Sequence, residues 1–376
     1  MESLLRQKRD RIVFSALETY SLVGGLQNFN RRVIRNLVSR AEARGSAAPR
    51  VHVLRDGDTV PTEMSPFVRS YSSRLWYMLR GAISAMTADV FIIGHVNLLP
   101  LAGLVRCLRP KLSILLFVHG DEVWNEPKRR RKRWYDKSLL RAVDVIASVS
   151  QYTADVMSQK FGLDAAKFEV FPNAVDEIEA VCEAERDKPI ILTVSRMSAG
   201  DRDKNIHQML RAVAILKRKL PRVQYYIVGD GALRSEHEKL SGELNIDENV
   251  SFLGRVSDVE LSQVYQQASV FAMPSSKEGF GIVYLEAWLY SLPVICSTFG
   301  ASKEIVSDGV DGFVVDHRDE RQLAERLHQL LTDKMLAMEL GRNGRNKVQT
   351  KYLNSSFRSN LEALLEKTLR RSYASE

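Results

Sequence analysis

The hydrophobic positions of this chain form short β-branched runs that are separated by longer stretches of helical period. Apolar runs bounded by polar segments predict buried strands, and apolar residues three and four positions apart predict amphipathic helices, as at 26–44. The predicted strands are 11–16, 51–54, 90–93, 113–118, 145–148, 168–171, 189–194, 224–228, 250–252, 270–273, 294–297 and 313–315. This alternation is typical of βα units, so we expect an α/β protein with parallel sheets.

The strand pattern restarts once, which indicates two consecutive α/β domains. The segment 172–188 is acidic, begins with a proline and separates the two sets of strands, so it is the expected hinge. We therefore expect one domain at 1–173 and a second at 174–355. A final helical pattern predicts a C-terminal helix, at about 356–376, that packs back on the first domain.

Charge and cysteine content narrow the class of protein. The 376 residues carry a net charge of +8, and residues 1–180 hold 27 Lys and Arg against 19 Asp and Glu. The first domain is therefore expected to face an anionic partner. Three separated cysteines indicate neither a disulfide framework nor a zinc site. The N-terminus lacks the pattern of a signal peptide, and the longest apolar run is too short to span a bilayer, so we expect a cytoplasmic protein.

A basic run at 128–133 begins at Lys128 and is followed directly by Trp134 and Tyr135. One interpretation is the solvated face of a helix. The other is a helix on a membrane surface, because cations that meet anionic headgroups beside an interfacial indole are the ingredients of such a helix.

Two segments have the composition of a phosphate site. Gly24 and Gly25 stand after the first strand and before a long helix, whose N-terminal N–H groups can bind phosphate, although a plain tight turn also explains a glycine pair. In the second domain, Arg196 follows the first strand and Lys204 precedes the next helix. Ligands bind at this edge of an α/β sheet, so the two cations could clamp a diphosphate; two ordinary surface cations are the alternative.

Two further segments suggest a sugar site. Glu278 lies in a glycine-containing loop, and Glu286 lies eight residues on, in the helix that Gly281 is expected to start. Carboxylates accept hydrogen bonds from vicinal hydroxyls, although each could also be a buried or capping glutamate. His119 follows an apolar strand of the first domain, at the edge where ligands bind, and a structural histidine is the alternative there.

Three more motifs are Asn173, the ValGlyAspGly sequence at 228–231 and Gly254–Arg255. Together with the segments above, they resemble the motif set of family 4 glycosyltransferases of the GT-B architecture. The similarity extends over residues 11–316, and the spacing Glu278-x7-Glu286 is its most specific part. The resemblance implies two Rossmann-like, doubly wound domains that face each other across a cleft holding a nucleotide sugar.

The resemblance also implies residue roles. His119 and Glu278 would be catalytic, with His119 near the reacting carbon and Glu278 on the transferred sugar. Arg196 and Lys204 would neutralise the diphosphate, and Glu286 would hold the ribose. The implied donor-binding set is Gly24, Gly25, Arg196, Lys204, Gly254, Arg255, Val256, Glu278, Gly279, Phe280, Gly281 and Glu286.

The implied reaction is transfer of a hexose, with retention of configuration, from a nucleotide-diphospho-sugar to a lipid-linked saccharide in cell-surface polysaccharide synthesis. GDP-mannose is the preferred donor and a UDP-sugar the alternative. Neither a metal ion nor a cofactor is expected, since the nucleotide sugar is a co-substrate. We expect the enzyme to lie at the inner face of the cytoplasmic membrane, touching anionic lipid through the run from Lys128 to Trp134. A GT-B-like sugar-nucleotide epimerase and a nucleic-acid-binding protein are the alternatives, but no nucleic-acid readout module is present.

Overall fold

The computed structural model describes residues 11–120, 122–124, 130–178, 186 and 188–374, with side chains up to residue 370. The chain divides into two compact units. The first comprises Met1–Asn173 with Ser355–Glu376, and the second comprises Ala174–Asn354. No helix in the described ranges is long and apolar enough to cross a membrane.

The first unit contains a seven-stranded parallel sheet in the order β3-β2-β1-β4-β5-β6-β7. Its strands are β1 (Ile12–Ala16), β2 (Arg50–Leu54), β3 (Val68–Tyr71), β4 (Val90–Ile93), β5 (Ser113–Val118), β6 (Val145–Ser148) and β7 (Phe168–Val170). Its helices include α1 (Gly25–Arg44), α2 (Arg74–Ala85), α3 (Leu99–Leu108), α4 (Asp136–Leu140) and α5 (Gln151–Phe161). The central strands β4 and β5 are buried along their whole length, which explains their continuous apolar sequences.

The C-terminal helix (Asn354–Ala374) also packs in the first unit. Its Phe357 makes edge-to-face contacts with Phe29 of α1 and with Phe171, at centroid distances of 5.6 and 4.8 Å. Glu362 pairs with Arg40 of α1 at 2.6 Å. Aromatic packing and an ion pair therefore both hold this helix to α1.

The second unit contains a six-stranded parallel sheet in the order β10-β9-β8-β11-β12-β13. Its strands are β8 (Ile190–Val194), β9 (Gln224–Val228), β10 (Val250–Gly254), β11 (Val270–Ala272), β12 (Val294–Ser297) and β13 (Gly312–Val315). Its helices include α6 (Ile206–Lys217), α7 (Arg234–Glu243), α8 (Asp258–Gln267), α9 (Ile282–Leu289), α10 (Ser302–Ile305), α11 (Glu320–Thr332) and α12 (Lys334–Lys351). Both sheets are Rossmann-like, so the fold class expected from the sequence is confirmed.

Two sequence-based expectations differ from the structure. The sequence pattern missed β3, an edge strand in which only Val68 is buried, because its polar residues do not form an apolar run. The basic run was interpreted as a helix, but its described part, 130–133, is irregular and α4 begins only at Asp136. Arg130 donates to Asp136 at 2.8 Å and is nearly buried, so this cation is structural. Lys128 and Arg129 lie outside the described residues, as do 179–185 and 187 of the expected hinge.

Candidate active site

The strand order of each sheet reverses at one point, and in open α/β sheets ligands bind at that reversal. In the second unit, β8 lies between β9 and β11, so the loops that follow β8 and β11 leave the same edge side by side. Arg196 and Lys204 stand on the first loop, and Glu278 stands on the second. Topology alone therefore brings these three predicted residues to one edge.

Arg196 presents its guanidinium to solvent at this edge. Its side chain is 70% exposed, and Nη2 lies 3.4 Å from Oδ1 of the buried Asp201. Asp201 also accepts the Ser198 N–H at 3.0 Å, so it shapes the loop itself. The weakly tethered Arg196 remains available to an anionic ligand.

Lys204 and Glu278 form the central ion pair of the site. Lys204 Nζ lies 2.6 Å from Glu278 Oε2, and the two side chains are only 16% and 15% exposed. The loops that carry them are also joined by hydrogen bonds to backbone carbonyls, because Asn205 Nδ2 donates to the Pro274 carbonyl at 2.8 Å and Ser276 N–H donates to the Asp203 carbonyl at 2.8 Å. A cation and a carboxylate thus stand together on a fixed support.

The segment after Glu278 turns into α9. Gly279 and Phe280 are buried, and Phe280 contacts the ring of Tyr352 at 5.9 Å. Gly281 caps α9 with a φ of +92°, a conformation that favours glycine, and a Cβ there would lie 2.3 Å from the Tyr284 ring. The sequence expectation that Gly281 starts this helix is correct.

Glu286, on α9, has a partner that the sequence did not indicate. The Tyr265 hydroxyl of α8 donates to Glu286 Oε2 at 3.1 Å, and Tyr265 stacks on Tyr290 at 5.1 Å. Burial raises the pKa of Glu286 above its ordinary value. Only one carboxylate oxygen of Glu286 is engaged by Tyr265, and the other can accept a hydroxyl hydrogen bond.

Gly254, Arg255 and Val256, which belong to the implied donor-binding set, lie at the end of β10. Gly254 has a φ of +70° and its carbonyl accepts the Gly229 N–H at 2.7 Å, while Arg255 is exposed and Val256 is half-buried. The Arg196 loop passes so close to Gly229 that a Cβ at this position would lie 1.9 Å from the Ser195 carbonyl oxygen. Gly229 belongs to the ValGlyAspGly sequence at 228–231, and its lack of a Cβ permits the close approach of two loops.

In the first unit, a buried aspartate holds the loop before Gly24 and Gly25. The Asp56 carboxylate, at the end of β2, accepts the N–H groups of Thr19, Tyr20 and Ser21 at 2.9 to 3.0 Å. Gly24 is extended, Gly25 begins α1, and a Cβ at Gly25 would meet nothing within 4 Å. Asp56 therefore fixes a loop whose glycine end faces open space beside the reversal point between β1 and β4.

His119 follows β5 and lies among buried polar groups. Glu122, which is 5% exposed, accepts the His119 N–H at 2.5 Å. Burial lowers the pKa of His119 to about 4, and it also lowers the pKa of the neighbouring His95. The imidazole of His119 is therefore neutral at physiological pH, and its buried Nε2 has no hydrogen-bond partner within the described part of the chain.

The sequence analysis thus identified candidate residues that follow strands, but it missed most of the side chains that hold the candidate site in place. Asp56, Glu122 and Tyr265 were not predicted, since each acts through a contact made by the fold. The one available signal for Glu122 was its position three residues after His119, within the same loop.

Comparison with known proteins identifies the family and the fold of the chain. A model described as Glycosyltransferase Family 4 matches residues 23–178, and one described as Glycosyl transferases group 1 matches residues 175–347. Among solved structures, Anabaena HepE in complex with UDP superposes with a TM-score of 0.76 at 18% identity, covering 95% of this chain and 100% of that one. Sucrose-phosphate synthase from Thermosynechococcus elongatus gives 0.73 at 20% identity, covering 97% and 100%.

The two Rossmann-like units and the similarity to these solved structures show that the chain has the GT-B fold. Within that class, the chain belongs to glycosyltransferase family 4. A GDP-mannose-dependent alpha-(1-6)-phosphatidylinositol monomannoside mannosyltransferase of Mycolicibacterium smegmatis is 31% identical over 62% of this chain. An N-acetylgalactosaminyltransferase of Campylobacter jejuni that acts on an undecaprenol-linked saccharide is 28% identical over 72% of this chain and 73% of its own length. The match spans just under two thirds, 64%, of the mycolicibacterial protein.

Proposed function

We propose that the protein transfers a hexose, with retention of configuration, from a nucleotide-diphospho-sugar to a lipid-linked saccharide in cell-surface glycolipid or polysaccharide synthesis. The observation that carries the proposal is the Lys204–Glu278 pair, held at the strand-order reversal beside the exposed Arg196. A diphosphate placed there would meet two cations, and its hexose would meet a carboxylate. GDP-mannose is the proposed donor, since it is the donor named for the mycobacterial relatives, and a UDP-sugar is the alternative.

Arg196 and Lys204 account for departure of the leaving group in this proposal. As the bond to the diphosphate breaks, negative charge develops on its oxygens, and these two cations at the same sheet edge would stabilise that charge. Lys204 would then be shared between Glu278 and the phosphate, which leaves Glu278 able to accept hydroxyl hydrogen bonds from the hexose. Glu286 would accept a ribose hydroxyl through the oxygen that Tyr265 leaves open.

Substitution of the two cations tests the donor site. Hydrogen bonds to charged groups contribute ~1.5–3 kcal/mol, so Arg196→Ala and Lys204→Ala are each expected to lower kcat/KM for the donor by roughly 10- to 150-fold. Arg202→Ala is the matched control, because Arg202 is a cation of the same loop that pairs instead with Glu236 at 2.5 Å. Wild-type turnover by both test variants would refute the clamp.

Donor and reaction are identified by two measurements. Protection against thermal unfolding is compared for GDP, UDP and their sugars, since a ligand at 100 times its Kd stabilises by ~2.7 kcal/mol. Nucleoside diphosphate release is then followed with and without a lipid-linked acceptor. Release that requires the acceptor identifies a transferase, whereas a change of the sugar without release would identify an epimerase.

Metal independence is part of the same proposal. If Arg196 and Lys204 carry the leaving-group charge, transfer is expected to persist in EDTA at its untreated rate. Activity that disappears in EDTA and returns with Mg²⁺ or Mn²⁺ would show that the two cations are insufficient.

The proposed site of action is the inner face of the cytoplasmic membrane, where the basic run would meet anionic lipid. Arg131, Arg133 and Trp134 are exposed, and Trp134 is 93% exposed. These residues can approach a membrane, whereas Arg130 is engaged with Asp136.

A further inference from the structure

Helix α2 carries a row of large apolar side chains that point to solvent. Leu75, Leu79, Ile83 and Met86 recur at spacings of four, four and three residues, which places them on one side of the helix. Their exposed fractions are 76%, 44%, 53% and 46%, and the adjoining Trp76 is 56% exposed. The opposite side of α2 is buried in the first unit through Tyr77 and Gly81. The exposed row is therefore not needed for the core.

Helix α3 extends this apolar surface. The helices touch where Gly81 approaches Leu101, since a Cβ at Gly81 would lie 3.1 Å from the Leu101 side chain. Leu104 and Leu108 continue along α3 from Leu101 at helical spacing and are 39% and 50% exposed.

The ends of the two helices are also joined. Arg109 donates to the carbonyls of Ala85 and Met86 at 3.2 and 3.0 Å. We call the seven exposed side chains the α2–α3 face: Leu75, Trp76, Leu79, Ile83, Met86, Leu104 and Leu108.

The sequence that carries the α2–α3 face is poor in acidic residues. Between Glu63 and Asp121 the sequence contains a single acidic residue, Asp89, and Arg11 pairs with it at 3.0 Å. Arg74 and Arg80 are exposed on α2 itself. An apolar surface whose own helices carry exposed arginines and no carboxylate fits a partner that is apolar inside and anionic at its boundary.

We propose that the α2–α3 face docks on an anionic lipid membrane, with Leu75, Trp76 and Leu79 entering the headgroup boundary and Arg74 and Arg80 contacting lipid phosphates. An amphipathic helix with leucine and tryptophan on one side and arginine at its edge binds membranes in this way. A second copy of the chain fits less well, because a two-fold contact would bring Arg74 and Arg80 toward their own copies without a carboxylate. The proposal rests on the proposed function, in which the acceptor is lipid-linked.

Co-sedimentation with vesicles tests the proposal on the full chain. The vesicles are phosphatidylcholine alone or an equimolar mixture with phosphatidylglycerol. Wild type is expected to bind the mixed vesicles only, and affinity is expected to fall at least tenfold in Leu79→Gln/Ile83→Gln and in Arg74→Gln/Arg80→Gln. The matched control is Met335→Gln/Met338→Gln, which removes exposed apolar side chains of α12 in the second unit and is expected to bind like wild type.

Tryptophan quenching by brominated lipid locates the contact. Quenching is expected to decrease in Trp76→Phe, whether or not Trp134→Phe lowers it as well. Quenching that is unchanged in Trp76→Phe and lost only in Trp134→Phe would assign docking to the basic run alone and overturn the proposal. Equal vesicle binding by wild type and both α2 variants would also overturn the proposal. The same holds if wild type is a dimer in solution and the Leu79→Gln/Ile83→Gln variant is a monomer. Donor protection measured on the same proteins reports separately on the proposed function, because no residue of the α2–α3 face is assigned to the donor.

Discussion

Removal of the Asp56 carboxylate is expected to release the loop that carries Gly24 and Gly25. Oδ1 of Asp56 accepts the N–H groups of Thr19, Tyr20 and Ser21, and Oδ2 accepts the Thr19 N–H as well at 3.0 Å. Asp56 is 2% exposed, so water cannot replace it readily. Asp56→Asn keeps one oxygen for these donors, whereas Asp56→Ala keeps none.

The size of the effect follows from these bonds. A hydrogen bond to a charged group contributes ~1.5–3 kcal/mol, and a buried donor left without a partner costs ~1–3 kcal/mol. Because the three N–H groups act together, we expect a total near ~3 kcal/mol for Asp56→Ala and ~1 kcal/mol for Asp56→Asn. In a domain of ~150–250 residues, ~3 kcal/mol corresponds to a Tm decrease of ~6–12 °C.

Thermal unfolding and donor kinetics measure the two consequences. We expect the Tm to fall in the order wild type, Asp56→Asn, Asp56→Ala, and the KM for the donor to rise in the same order, since the proposed phosphate contact at Gly25 depends on this loop. Asp58→Asn is the control, because Asp58 lies in the same turn but is exposed. An Asp56→Ala protein with the Tm and donor KM of the control would refute the reasoning.

Two further predictions concern stability. A Cβ at Gly229 would lie 1.9 Å from the Ser195 carbonyl oxygen, so Gly229→Ala is expected to lower both the Tm and donor affinity; Gly242→Ala, where a Cβ meets nothing within 4 Å, should do neither. Burial lowers the pKa of His52 and of His119 to about 4. Their contribution to the free energy of unfolding is therefore fully present above pH ~6.5, where a histidine of the unfolded chain titrates, and it decreases as the pH falls toward 4. Each histidine contributes up to ~1.4 kcal/mol per pH unit to the change of the free energy of unfolding with pH. Urea unfolding at pH 7, 6 and 5 should therefore show a weaker pH dependence for His52→Gln than for wild type. An unchanged pH dependence would contradict burial of His52 as its cause.

The fold was largely predictable because burial on both faces of a parallel sheet leaves a strong sequence signal. The buried strand β5 reads as a continuous apolar run, and its predicted bounds, 113–118, match the structure. The edge strand β3 was not predictable in this way, since Arg69 and Ser70 interrupt its apolar character and its pairing with β2 is made by the fold.

The candidate site shows the same division between local and long-range information. Arg196, His119 and Glu278 could be nominated because each follows a strand, and position after a strand is visible in the sequence. The pairing of Lys204 with Glu278 joins residues 74 positions apart, and the Asp56 contact with Tyr20 joins residues 36 positions apart. Neither spacing carries a periodic signal, so only the strand order could have revealed the two contacts.

Strand order also gives these long-range contacts a common cause. In the first unit the loop held by Asp56 follows β1, and in the second unit Lys204 lies on the loop that follows β8. Each of these strands has its chain-order neighbour on one side and a later strand on the other, which is where the order reverses. At a reversal the flanking connections diverge and leave an open crevice, where side chains add to the backbone contacts that hold the loops. Lys204 and Glu278 combine the two roles, because their ion pair joins two loops and the same two side chains are proposed to bind the donor.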